Sequence, residues 1–120
     1  MLSQYLDISQ DLLDNNEAII DLSNYDYCVL QIAGNTGASY NYFSTIDSGA
    51  IQGVSDGSAV SSINFTSTLS TNLSNNSIEN SNSGTDGLWK FNVIGRYLKI
   101  KFSSGTPNGI KALIMLAKIS

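Results

Sequence analysis

Residues 87–102, which read GLWKFNVIGRYLKIKF, carry the most regular pattern in this sequence. Apolar and polar residues alternate on both sides of Gly95. The apolar members are Trp89, Phe91 and Val93 before the glycine, and Leu98, Ile100 and Phe102 after it. A period of two residues is typical of a strand with one buried face. Because glycine has no Cβ, Gly95 can provide a sharp bend or bulge between two such strands. The stretch therefore predicts the centre of a β-sheet core.

Similar patterns, separated by turn-forming residues, extend over most of the chain. They predict strands at 17–22, 26–33, 39–46, 61–69, 73–79 and 110–119, with a glycine-rich loop at 47–59. The sequence GNTG at 34–37 predicts a hairpin between the second and third of these strands. About eight short strands in 120 residues predict an all-β protein. We expect an antiparallel, jelly-roll-like β-sandwich.

The same alternation predicts which side chains form the core. The predicted core residues are Leu30, Ile32, Phe43, Phe65, Trp89, Phe91, Val93, Leu98, Ile100, Leu113 and Met115.

Residues 1–16 are predicted as an N-terminal arm, and residues 17–120 as the sandwich domain. The arm is ambiguous, because its leucines fit one helical stripe whereas residues 5–10 also alternate as a strand does. We expect an extended arm that begins or extends a sheet, with a short helix as the alternative.

The last predicted strand is apolar on both faces, in the run ALIMLA at 112–117. Each strand of a two-layer sandwich has only one inner face, so something else must cover the second face. The arm or a second subunit is expected to do so, and a closed homotrimer is the first expectation. The residues expected to contact a partner are Leu2, Tyr5, Leu6, Ile8, Leu12, Leu13, Tyr40 and Tyr42.

The composition argues against several classes of function. The chain has no histidine, and its net charge is −4. Without histidine the usual activating base for a serine or cysteine nucleophile is missing, so we expect no enzyme and no catalytic residue. No metal motif or cofactor signature occurs, and no basic patch suggests nucleic-acid binding. Cys28, the single cysteine, is expected in the core.

No signal peptide and no membrane span of about 20 apolar residues is recognised. Aromatic rings at Tyr40 and Tyr42 leave open a glycan-binding platform.

Three segments, taken in order, suggest a family. They are YDYCVLQI at 25–32, YFSTIDSG at 42–49 and the 87–102 stretch, followed by an apolar final strand. This order resembles the small β-sandwich modules of tailed-bacteriophage virion proteins. The resemblance implies a capsid decoration (cement) protein that binds the major capsid protein or another virion protein. It also implies a location in the virion after synthesis in the host cytoplasm. The alternative is a receptor- or carbohydrate-binding module of a head fibre or tail.

Overall fold

A computed structural model describes residues 2–22, 24–35, 37–45, 65–84, 86–92, 97–105 and 109–119. Within them the chain forms one helix and eleven strands. These elements are β1 (Leu2–Asp7), α1 (Ser9–Asn15), β2 (Glu17–Asp21), β3 (Tyr27–Ala33), β4 (Ser39–Thr45), β5 (Thr66–Ser67), β6 (Ser70–Asn72), β7 (Ile78–Glu79), β8 (Ser81–Ser83), β9 (Gly87–Asn92), β10 (Tyr97–Ser104) and β11 (Lys111–Lys118). The predicted loop at 47–59, the bend at Gly95 and the core position Val93 lie outside the described residues.

The strands form two antiparallel sheets. One has six strands in the order β1-β11-β3-β9-β6-β7, and the other has the order β2-β10-β4-β5, with β8 also paired to β4. The expected antiparallel β-sandwich is confirmed. More strands are present than the eight expected, because the Ser- and Asn-rich segment after Phe65 forms several strands of two or three residues.

The predicted hairpin between β3 and β4 is wrong. β3 pairs with β11 and β9 in one sheet, whereas β4 pairs with β10 in the other. The turn itself is present: Gly34 and Gly37 have positive φ, and the Asn35 side chain accepts hydrogen bonds from the N–H groups of Gly37 and Ala38. A turn sequence specifies a change of direction and not a pairing partner. Here the chain crosses between sheets, so that the apolar face of each strand is buried.

The core lies between the sheets, and alternate residues of each strand supply it. On β3, for example, Cys28, Leu30 and Ile32 are buried while the residues between them are not. Of the predicted core residues, the buried ones are Leu30, Ile32, Trp89, Phe91, Leu98 and Ile100.

Four other core predictions are wrong. The residues concerned are only half-buried: Phe43, Phe65, Leu113 and Met115. On β11 the buried residues are instead Ala112, Ile114 and Leu116. Both faces of β11 are apolar, so the sequence period cannot tell which face points inward. The pairing of Ile114 with the buried Leu30 decides it.

Residues 2–16 combine both alternatives considered for the arm. β1 extends the six-stranded sheet by pairing with β11, and α1 follows it directly. The Ser9 hydroxyl accepts a hydrogen bond from the N–H of Ala112, at 2.7 Å, and donates one to its carbonyl. Ile8 and Leu12 are buried in the core. The segment is thus part of the sandwich, and β1 lies beside β11 rather than over its outer face.

Candidate interaction surface

The outer face of the six-stranded sheet carries an apolar surface that runs from one sheet edge to the other. In antiparallel pairs, directly opposite residues share a face, so the strand registers define rows of neighbouring side chains. One row is Tyr5, Met115, Val29, Lys90, Thr71 and Ile78. The next row contains Asp7, Leu113, Gln31 and Leu88. Leu73 lies beside Leu88, because its N–H donates to the Leu88 carbonyl at 2.9 Å.

We call the apolar members of these rows the outer apolar face. They are Tyr5, Val29, Leu73, Ile78, Leu88, Leu113 and Met115. Several are among the most exposed large apolar side chains of the described residues: Tyr5 is 71% exposed and Ile78 is 69% exposed. A depression of about 220 Å³ lies in this face. It is lined by Tyr5, Val29, Gln31, Leu88, Leu113 and Met115. A group of exposed apolar side chains on one face commonly marks an interaction site.

Charged groups lie mostly at the margin of the outer apolar face. Asp7 forms an ion pair with Lys111, and hydrogen bonds from Lys111 and Ser9 hold the pKa of its carboxyl well below the usual range. The Lys90 ammonium lies over the Tyr27 ring, 4.7 Å from its centroid. Lys90 and Tyr27 lie on the two central strands, so the centre of the face contains this ammonium and ring together with the neutral amide of Gln31 and apolar side chains.

On the outer face of the five-stranded sheet, one ammonium group lies over two aromatic rings. Lys99 is opposite Ile19 on one side and Phe43 on the other. Its ammonium lies 5.1 Å from the Phe43 ring centroid and 4.4 Å from that of Phe65. Partial burial lowers the pKa of Lys99. The two phenylalanines predicted for the core therefore pack here, against a lysine stem and its charge.

The expected partner-contact residues have different environments. Ile8 and Leu12 are buried, and Leu6 is partly buried against the core. Among those whose side chains the structure describes, Tyr5 and Leu13 present a large exposed side chain, with Leu13 40% exposed on α1. The side chain of Leu2 lies outside the described part of the structure, although its backbone pairs with that of Lys118.

Tyr40 and Tyr42 do not form a surface platform, since both are fully buried. The Tyr40 ring packs against Phe102, with centroids 4.4 Å apart, and the Tyr42 ring meets Phe91 edge-on at 4.9 Å. Burial raises the pKa of both phenols. Within the described residues neither hydroxyl has a hydrogen-bond partner. Their contribution is thus packing, and they are not available to a glycan or to a protein partner.

A polar cluster around Glu79 joins β6, β7 and β9. The Glu79 carboxylate accepts hydrogen bonds from the Ser77 hydroxyl at 2.7 Å, the Trp89 indole N–H at 3.0 Å and the Asn72 amide at 3.3 Å. These bonds, that of Ser77 first, lower the pKa of Glu79. A carboxylate held in this way orients the indole of the central core tryptophan, which is a structural role.

Two further features bear on chemistry. The thiol of Cys28 is buried, and desolvation raises its pKa to about 12. A thiol with such a pKa is almost entirely protonated near neutral pH, so the reactive thiolate is scarce. In the part of the chain that the structure describes, no three Asp, Glu or Cys side chains are grouped as metal ligands.

Sequence reasoning missed most of the outer apolar face. Val29, Leu73, Ile78 and Leu88 are not among the predicted contact residues. They lie in separate segments, Leu73 just after β6 and the others on β3, β7 and β9, and no local pattern joins them. The one available signal was the second apolar face of β11, which led to the expectation that this face is covered.

Comparison with known proteins gives a similarity in structure but none in sequence. No protein-family model and no curated protein matches the sequence. A solved structure, that of the SPBc2 prophage-derived protein YomS, has a similar fold with a TM-score of 0.68 and 11% sequence identity. The similarity covers 96% of this chain and 92% of YomS. At this identity the similarity establishes a shared fold.

Among the described residues, no helix has the length and apolar character needed to cross a membrane.

Proposed function

We propose that this chain is a non-enzymatic structural protein of a phage virion, where it binds and stabilises the capsid as a decoration protein. The observation that carries the proposal is the fold shared with a prophage-derived protein over 96% of the chain. The order of strands in the sequence, which resembles that of small phage virion modules, supports the same class of protein.

The surface of the molecule supports a role in binding protein rather than nucleic acid or membrane. The chain has six basic and ten acidic residues, so phosphate groups would meet net repulsion. By contrast, the outer apolar face and the exposed Leu13 offer apolar contact area of the kind found at the centres of protein interfaces. The proposed partner is therefore the major capsid protein or another virion protein.

Leu13 is the residue that we assign to the capsid contact. It lies on α1, whereas Leu12 beside it is buried. The short helix is anchored at both ends: Ser9 bonds to Ala112, and the N–H of Phe102 donates to the Asn16 carbonyl at 2.9 Å. A rigidly held, exposed leucine loses little conformational entropy when a partner covers it.

The proposal is tested on virions of a phage that carries this gene. Gradient-purified heads and tails are separated and probed with an antibody against the chain, with immunogold electron microscopy to locate the label. Label on heads is expected. Heads from a gene deletion should lose DNA at lower temperature than wild-type heads, and added purified protein should restore their stability.

Leu13→Lys should weaken rebinding to deletion heads by at least tenfold, while the matched change Asp14→Lys on the same helix should not. Absence of the chain from virions would refute the virion role. Label on tails alone would refute the decoration role.

No glycan-binding function is proposed. Tyr40 and Tyr42, on which that alternative depended, are core residues.

A further inference from the structure

We propose that the free edge of β1 binds an extended segment of another protein, which adds to the six-stranded sheet as an antiparallel strand. The added strand carries an apolar side chain on the outer face of the sheet and a carboxylate on the inner face. This inference does not depend on the virion role, because it follows from the backbone and the side chains around β1.

The odd-numbered residues of β1 direct their backbone groups to the edge of the sheet. β1 is the first strand of its sheet and pairs with β11. The N–H of Ile8 donates to the Ala112 carbonyl on β11 at 2.9 Å. Because successive residues of a strand direct their N–H and C=O groups to opposite sides, those of Ser3, Tyr5 and Asp7 point away from β11. An added strand pairs with all of these groups in one register.

β1 is the least protected sheet edge in the described part of the chain. β7, at the other end of the same sheet, has two residues, and β5 and β8, which pair with β4 in the second sheet, have two and three. β2, at the remaining edge, begins with Glu17 and ends with Asp21. Short or charged edge strands discourage pairing with other chains. β1 has six residues and a single charged one, Asp7, which lies at its end and is paired with Lys111.

On the outer face, the added strand extends the row that contains Tyr5 and Met115. The residue directly opposite Tyr5 lies in this row and on the same face. Tyr5 is 71% exposed, and it lines the depression of about 220 Å³ together with Leu113 and Met115. An apolar side chain opposite Tyr5 removes this surface from water. The outer position therefore favours an aliphatic or aromatic residue.

On the inner face, the added strand meets a polar depression of about 420 Å³. It is lined by Ser3, Gln4, Asn24, Tyr25 and Lys118. The residue opposite Gln4 points towards this depression, because alternate side chains of a strand lie on opposite faces. Lys118 is exposed and has no ion-pair partner among the described residues. A carboxylate opposite Gln4 complements its ammonium.

These positions define the segment by its chemistry. Read antiparallel to β1, it has an apolar residue opposite the partly buried Leu6, a second apolar residue opposite Tyr5 and a glutamate opposite Gln4. The backbone hydrogen bonds supply affinity, and the two depressions select the alternate side chains. The peptide STVIETS, blocked at both ends, has this pattern and places its isoleucine opposite Tyr5.

Solvent-exchange NMR of the full chain with this peptide tests the proposal. In the free protein the N–H of Tyr5 should exchange rapidly and that of Ile8 slowly. At a peptide concentration about ten times the dissociation constant, the Tyr5 N–H should exchange about tenfold more slowly. Absence of binding at about 5 mM peptide, in the range of weak complexes, would overturn the proposal. Binding that leaves the Tyr5 N–H unprotected would do the same, as would a Tyr5 N–H that is already protected without peptide.

Two variants of Tyr5 distinguish pairing at the edge from docking on the outer face. Tyr5→Pro removes the outward N–H, a change that an edge strand tolerates. It should weaken binding by about tenfold, because an acceptor on the peptide loses its donor. Tyr5→Val keeps the N–H and should weaken binding by about threefold at most, the effect of altering one cross-strand pair. Both should have the circular dichroism of wild type. Equal binding by the two variants would place the peptide on a face and contradict the proposal.

A charge exchange tests the inner contact. Wild type should prefer STVIETS over STVIKTS by about threefold, as expected for an exposed ion pair. Lys118→Glu should reverse this preference. Lys101→Glu, which makes the same change in net charge on β10 of the other sheet, should leave it as in wild type. A preference that Lys118→Glu does not alter would show that the carboxylate lies elsewhere and would refute the proposed register.

Discussion

Leu113 and Ile114 are consecutive residues of β11 that belong to different surfaces of the protein. Ile114 is completely buried between the sheets, opposite Leu30, whereas Leu113 lies on the outer apolar face, opposite Gln31. The sequence around them, ALIMLA, gives both residues the same apolar character. Their difference arises from pairing with β3 and β1, and it makes them a matched pair for experiment.

Ile114→Asp should prevent folding, while Leu113→Asp should leave the fold intact. An aspartate at 114 would be a carboxylate in a dry core, with no partner to offset its desolvation. The milder Ile114→Ala should lower the free energy of unfolding by about 2–5 kcal/mol. Urea denaturation followed by tryptophan fluorescence shows whether each aspartate variant is folded, and it measures the free energy of unfolding of Ile114→Ala. If Leu113→Asp unfolded the protein as thoroughly as Ile114→Asp, the assigned orientation of β11 would be incorrect.

Tyr42→Phe should stabilise the protein or leave its stability unchanged. The Tyr42 hydroxyl is buried without a hydrogen-bond partner among the described residues, and such a group costs about 1–3 kcal/mol relative to its hydrated state. Removing it keeps the edge-on contact of the ring with Phe91. Thermal unfolding of Tyr42→Phe and Tyr40→Phe measures the effect. Tyr25→Phe is the control, because the Tyr25 hydroxyl donates to Gln4 and its loss should not stabilise the fold. A large loss of stability in Tyr42→Phe would mean that its hydroxyl is paired in solution.

Glu79→Gln should lower stability at pH 7 and have less effect in acid. The folded-state pKa of Glu79 is lower than its ordinary value, so folding favours the carboxylate. Its contribution is therefore complete above the ordinary pKa, and it is lost as the pH falls through the folded-state pKa. Urea unfolding of both proteins at a series of pH values from 7 to 3 follows the difference. Asp11→Asn on α1, which removes one exposed charge, is the control. A difference that grows as the pH falls would contradict the proposed linkage.

Cys28 should not react with thiol reagents in the folded protein. Its thiol is buried and has a pKa of about 12, so the reactive thiolate is scarce below that pH. Labelling with a maleimide in native buffer should thus be slow and should follow the rate of unfolding, whereas labelling in urea should be complete within minutes. Rapid native labelling at pH 7 would indicate that β3 opens locally without global unfolding.

The candidate surface could be predicted from the sequence only in part. The apolar second face of β11 indicated that something must cover it, and Tyr5 was among the residues expected at a contact. Ile8, Leu12, Tyr40 and Tyr42 were expected there as well, but all four are buried. The sequence does not distinguish a surface tyrosine from a core tyrosine, because the polar hydroxyl suits a surface and the large ring suits a core. Here the rings of Tyr40 and Tyr42 fill space between the sheets.

The sequence by itself determined that this protein is a β-sandwich, and which faces of β9 and β10 are buried. In these strands polar residues alternate with apolar ones, so only one orientation buries the apolar set. Tertiary structure alone decided the orientation of β11, the separation of β3 and β4 into different sheets, and the assembly of the outer apolar face. These features depend on pairing between distant segments, such as Tyr5 with Met115. No local pattern encodes such a pairing, because it follows from the burial of all the strands together.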